Sequence, residues 1–157
     1  MMTATAFTVE AGKPEIVISR VFDAPRELVF KTFTDPAAVP NWWGPRGLTT
    51  TVETMDLRPG GAWRFVQRDI DGSEYAFHGV YHEVLAPERV VSTFEFEGVP
   101  GHVVLDTVTF EDLGGKTRVT TRSVFQSVAD RDAMVQSGME SGATESWERL
   151  AELLARA

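Results

Sequence analysis

Few residues in this chain are of a type and spacing to do chemistry, and the first are His78 and His82, four apart. On a helix that spacing sets two imidazoles on one face, as a metal pair requires. Here they fall in an aromatic and β-branched run that reads as a strand, where four residues span about 13 Å, too far to share an ion. The segment His82-Glu83-Val84-Leu85-Ala86 opens like a zinc-protease helix but has alanine at its fifth position. Each histidine stays a candidate as a single acid–base group in a cavity, against the plainer reading of a packed or exposed side chain. Gly138-Met139-Glu140-Ser141-Gly142 places its serine one position too late for a nucleophile elbow, and in a helical stretch. A phosphate loop and a dinucleotide fingerprint are absent. With no cysteine, disulfides, thiolate catalysis and cysteine-held zinc are excluded. No metal or cofactor is expected, and nothing here requires an enzyme.

Two charges sit among apolar residues at inward strand parity. Asp106 lies between Val104 and Val108, and Arg20 shares a face with Ile16, Ile18 and Phe22. A lone buried charge is costly, so each needs a partner. They pair with each other or with neighbours as a structural bridge, or they orient a polar group on a ligand.

The same alternation turns Phe94 and Phe96 inward against Glu95 and Glu97, Trp63 and Phe65 against Arg64, and Val108 and Phe110 against Thr107 and Thr109. This aromatic face looks toward a helix carrying Gly138, Gly142 and Ala143, and large side chains opposite small ones mean either tight packing or a roofed cavity. The Trp42-Trp43 pair, bounded by Pro40 and Gly44-Pro45, has two readings as well: plugs in the core end with bonded indoles, or a lid at a cavity mouth.

These residues must be held by a strand, two short helices, six more strands and a long helix. Residues 15–22 read as the first strand. Asp23-Ala24-Pro25 starts a short helix that stops before Asp35-Pro36, and residues 36–43 form a second short helix or turn. Strands follow at 48–57, 62–69, 75–85, 90–97, 102–111 and 117–125, with two-residue hairpin turns expected at Asp71-Gly72 and Gly114-Gly115. Short connections make the sheet antiparallel. Residues 130–156 close the chain as one helix, with an apolar stripe at 135, 139, 143, 147, 150 and 154. Residues 1–14 read as a loose lead-in and 15–157 as a single domain.

At 157 residues and 43% hydrophobic content, the chain suits one sizeable core. Its formal net charge of -8 disfavours nucleic acid and anionic membrane as partners. Without a secretory leader or a membrane-spanning run, a cytoplasmic location is expected.

Several segments together resemble the SRPBCC superfamily, which includes START domains, birch-pollen-allergen-like plant proteins and polyketide cyclases. They are Arg20-Val21-Phe22-Asp23-Ala24-Pro25, Asn41-Trp42-Trp43-Gly44-Pro45, Asp56-Leu57-Arg58-Pro59-Gly60-Gly61, Gly79-Val80-Tyr81-His82-Glu83-Val84 with Pro87-Glu88-Arg89, and Ser137-Gly138-Met139-Glu140-Ser141-Gly142 ahead of Trp147-Glu148-Arg149-Leu150. Their order and spacing over residues 15–154 are similar to the branch named after the C-terminal domain of the heat-shock-protein-90 ATPase activator. The resemblance implies an α+β helix-grip fold, with a curved antiparallel sheet of about seven strands wrapped on a long C-terminal helix. That fold hosts carriers, cyclases, hydrolases and co-chaperones, so activity must be argued from the site.

The resulting expectation is a protein that binds or senses a small, largely apolar molecule. Its walls would be Trp63, Phe65, Phe94, Phe96 and Val108, with Met139 and Ala143 on the helix. Trp42, Trp43, His78 and Asp106 complete the expected site. The alternatives are a cyclase- or hydrolase-type enzyme using His78, His82 or Asp106, and a co-chaperone-like interaction module. A homodimer and a chaperone contact stay open as partners.

Overall fold

The computed structural model describes residues 4–157. Its order is β1 (Ala6–Thr8), β2 (Glu15–Phe22), α1 (Arg26–Thr34), a 3-10 turn (Val39–Asn41), β3 (Thr49–Met55), β4 (Ala62–Arg68), β5 (Glu74–Leu85), β6 (Arg89–Phe96), β7 (Val103–Asp112), β8 (Thr117–Val124), α2 (Val128–Gln136) and α3 (Met139–Ala155). The strands form one antiparallel sheet in the order β1-β2-β8-β7-β6-β5-β4-β3, so the earliest long strand lies against the last. This is the expected α+β helix-grip arrangement, with eight strands where about seven were expected.

The added strand comes from the stretch read as a loose lead-in. Ala6–Thr8 pairs with β2, and the buried Arg131 of α2 donates to the carbonyl of Glu10 at 2.8 Å. Three residues are too few to show a period-two pattern, so sequence alone passes over such a strand. Pro25 stands at the N-cap of α1, and its carbonyl receives the Leu28 and Val29 amides.

The hairpin at Asp71-Gly72 is longer than two residues. Asp69 N–H bonds to the Ser73 carbonyl and Gly72 N–H to the Asp69 carbonyl, so residues 70–72 make the loop. At Gly114-Gly115 the turn has the expected two residues, both at positive φ (80° and 88°), which the tight hairpin requires.

The single closing helix is in fact two. Gly138, at φ 84°, takes a left-handed conformation between α2 and α3, and the Ser137 hydroxyl caps the Met134 carbonyl at 2.6 Å. The expected apolar stripe therefore holds only from 139 onward, and Val135 is exposed.

Solid packing is concentrated at one end. Phe30 and Phe33 of α1 meet Phe110 edge-on at 5.0 and 5.4 Å, and Phe22 meets Trp147 of α3 at 5.8 Å. Leu150 and Leu154 complete this end, both buried. Burying each of these α3 side chains contributes about 1.5–3 kcal/mol. No helix among the described residues is long and apolar enough to cross a membrane.

Candidate functional site

Strand register arranges the inner face of the sheet in rows. Phe65, Phe77 and Phe96 stand level across β4, β5 and β6. Beside them Trp63 lies opposite Gly79, and Phe94 opposite Val104. The absence of a side chain at Gly79 is essential: a Cβ there would lie 1.8 Å from the Thr93 carbonyl oxygen and 2.5 Å from Trp63 Nε1. The indole uses that gap to donate to the Thr93 carbonyl at 3.1 Å. Trp43 stands edge-on to Phe65 and Phe77 at 5.1 and 5.3 Å.

Between this aromatic face and the N-terminal half of α3 lies a cavity of about 940 Å³. That is near the upper end of the roughly 300–1,000 Å³ typical of small-molecule sites. Met139, Gly142 and Ala143 line its roof, and a Cβ built on Gly142 meets nothing within 4 Å. Along α3, residues from Met139 to Trp147 border the hollow, and Leu150 and Leu154 beyond them are packed in the core. Gly138 does not line the hollow but forms the break between helices. The exposed lining residues Tyr75, Val99, His102, Ala133 and Ser137 mark the mouth.

The next row is polar. Tyr81 of β5, Ser92 of β6, Asp106 of β7 and Ser123 of β8 are successive partners across four strands. The Ser123 hydroxyl donates to Asp106 Oδ1 at 2.5 Å. Asp106 is half-buried, with part of its side chain open on the cavity. That burial pushes its carboxyl up to about 6 against the smaller opposing effect of the Ser123 hydrogen bond. Burial likewise raises the pKa of Tyr81, keeping its hydroxyl a neutral donor. Tyr81, Ser92 and Gln67 also line the cavity, and their side chains make no hydrogen bond to another described residue. Groups of this kind are normally satisfied by water or by a ligand.

Of the site residues expected from sequence, Trp42, Trp43, Trp63, Phe65, Phe94, Phe96, Asp106, Val108, Met139 and Ala143 all reach the cavity lining. His78 does not. It lies on the outer face, with Nδ1 2.8 Å from Glu97 Oε2 and Nε2 3.4 Å from Glu95. Its register partners Arg64 and Glu95 share that outward parity. Arg64 also pairs with Glu53 and Glu97, and with His78 it holds the Glu97 carboxyl down to about 2. His82 is exposed beside the irregularity in the β5–β6 pairing.

Arg20 and Asp106 do not pair. The Arg20 guanidinium lies over the Phe22 ring at 5.3 Å, and its buried Nε has no partner. Trp42 is a plug rather than a lid: it is buried, packs on Phe33 at 4.8 Å and donates to the Thr32 carbonyl at 3.3 Å. The segment after it is tied to α3. The Ser146 hydroxyl donates to the Trp42 carbonyl at 3.0 Å and receives Gly44 N–H at 3.1 Å, while Arg149 donates to the Gly44 carbonyl at 2.9 Å.

Tyr81, Ser92 and Gln67 were not singled out from sequence, although parity points to them. Tyr81 shares a face with Phe77, Ser92 with Phe94, and Gln67 with Phe65. The pair of His102 and Asp130 at the mouth, 3.0 Å apart, joins the start of β7, one residue before the strand, to α2 and carries no local sequence signal. No group of three His, Cys, Asp or Glu side chains among the described residues converges as metal ligands would.

Comparison with known proteins agrees with this architecture. A protein of Arthrobacter aurescens, solved in solution, is 26% identical and superposes with a TM-score of 0.89 over 97% of this chain and 92% of its own. A Mycobacterium smegmatis protein is 25% identical, with a TM-score of 0.86 and 96% of each chain covered. One from Chromobacterium violaceum is 29% identical, with a TM-score of 0.80 over 90% of this chain and 96% of its own. The curated proteins provide no match. Residues 23–155 match the family model described as activator of Hsp90 ATPase homolog 1-like protein. With that match over most of its length, the chain belongs to the family of activator of Hsp90 ATPase homolog 1-like proteins, within the SRPBCC group.

Proposed function

We propose that this protein binds a small, largely apolar molecule inside the cavity between the sheet and α3. The observation that carries this reading is the hollow itself, about 940 Å³ and walled mainly by aromatic and aliphatic side chains. A ligand burying about 200 Å² of apolar surface there gains about 5 kcal/mol, before the costs of ordering it. The row of Tyr81, Ser92 and Asp106 supplies the few polar groups that set its orientation.

A second reading draws on Asp106 alone. Its carboxyl, raised to about 6 and open to the cavity, suits an acid–base role on a bound substrate. His78 and His82 lie away from the cavity lining, which supports Asp106 over either for such a role.

The binding reading is tested by titrating the protein with the neutral dye N-phenyl-1-naphthylamine. Saturable one-to-one uptake with a blue-shifted emission is expected. Absence of uptake by the folded protein would remove the reading.

A further inference from the structure

We propose that the cavity selects ligands whose polar end donates hydrogen bonds, an amine or a hydroxyl on an apolar body, and turns carboxylates away. This deepens the binding reading above and rests on it.

The first support is the charge of the lining. Among the described residues no lysine or arginine lines the cavity; the acidic groups are Asp69, Asp106 and Asp130, and the basic one is His102. His102 sits at the mouth and is already engaged by Asp130. A carboxylate brought inside finds no cation to pair with, and an unpaired buried charge is costly.

The second support is the polar row. Ser123 occupies Asp106 Oδ1, which leaves the other oxygen to accept from whatever enters. The neighbours it shares the row with, Ser92 and Tyr81, are hydroxyls that can accept or donate. A donating head group meets an acceptor there, and a carboxylate meets a like charge. The third support is the aromatic wall, whose ring faces attract cations and repel anions.

Charged groups on the other packed elements do not reverse this. Arg20 of β2 lies two rows along, over the Phe22 ring, where the Glu148 charge of α3 acts on it. The lining of α3 is Met139, Gly142, Ala143, Ser146 and Trp147, none of them ionisable. With Asp106 titrating near 6, the discrimination is strongest above that pH and narrows below it.

The test uses the full chain with N-phenyl-1-naphthylamine as reporter. Three competitors share one body: 6-phenylhexylamine, 6-phenylhexanol and 6-phenylhexanoate. At neutral to mildly alkaline pH the amine and the alcohol should displace the dye at concentrations at least about tenfold lower than the carboxylate, the size of one hydrogen bond to a charged group. Asp106→Asn should bring the amine and the carboxylate together, each displacement being referred to the dye affinity measured for that variant. Ser92→Ala, which removes a partner without touching the charge, should weaken the alcohol and the amine, with the carboxylate still the weakest of the three. Equal displacement by all three in the unmodified protein overturns the proposal, as does an Asp106→Asn protein that keeps the original order. A folded protein that never takes up the dye overturns the cavity reading and this one with it. Should Asp106→Asn not fold, the original order and the Ser92→Ala result decide.

Discussion

Asp106→Asn should make the protein more stable at neutral pH, although it removes a hydrogen-bonded carboxylate. Asp106 titrates at about 6 in the fold against an ordinary value of 3.8. At about 1.4 kcal/mol per pH unit, keeping it charged inside the protein costs about 3 kcal/mol. Because the folded value lies above the unfolded one, the native state holds its proton longer. The penalty is absent below about pH 4, grows through the interval up to about 6, and is constant above it. Asparagine has the same shape and keeps an acceptor for the Ser123 hydroxyl, but its NH₂ group adds an unsatisfied donor costing about 1 kcal/mol. The net gain is about 2 kcal/mol, a rise in Tm of about 4–8 °C for a chain of this size. Urea unfolding of both proteins across pH 4 to 8 measures it. The stability difference should open as pH rises and close toward pH 4. Parallel curves, or a neutral-pH protein weakened by the substitution, would refute the claim that the carboxylate is held charged at a cost.

Three other outcomes follow from the same geometry. Ala143→Phe should keep or raise stability while abolishing dye uptake, because the ring enters the hollow; a loss of about 1–3 kcal/mol from overpacking, seen in denaturant melts, would mean there was no room. Gly79→Ala should cost at least about 2 kcal/mol and shift tryptophan emission, since the new methyl meets the Thr93 carbonyl and displaces the Trp63 indole; an unchanged melt and spectrum would count against the β5–β6 geometry. Truncation after Ser137 removes Trp147, Leu150 and Leu154, worth in sum about as much as a whole domain's stability, and should give an insoluble or molten product by near-UV circular dichroism; cooperative unfolding of the remainder would contradict the packing of α3.

Strand alternation carried most of what sequence could say about the site. It turned Trp63, Phe65, Phe94 and Phe96 inward because Arg64, Glu95 and Glu97 take the alternate positions, and Asp106 inward because it shares a face with Val104 and Val108. Applied to Ser92 and Gln67 the same rule would have found them, but a serine or glutamine among apolar residues is a weaker signal than an aspartate. His78 was misplaced for a different reason. Its own parity is outward, as the pattern of Arg64, Glu95 and Glu97 around it shows. The break at Gly138 was hidden because glycine is tolerated within helices at modest cost, and only its positive φ reveals the stop. Distances across the fold, such as His102 to Asp130, depend on where α2 crosses the mouth, which no local pattern encodes.

The two margins of the sheet bear on how copies of this protein can associate. An open sheet leaves a row of unpaired amides and carbonyls at each side, an invitation to pair with another chain. One margin, β1, is three residues long. The other, β3, is interrupted between Val52 and Thr54, at Glu53, whose carboxylate is engaged by Arg64. Neither offers the long, flat, uncharged strand that a neighbour's strand needs for continuous pairing. Among the described residues, the hollow thus forms in a sheet whose two edge strands are poor templates for extension.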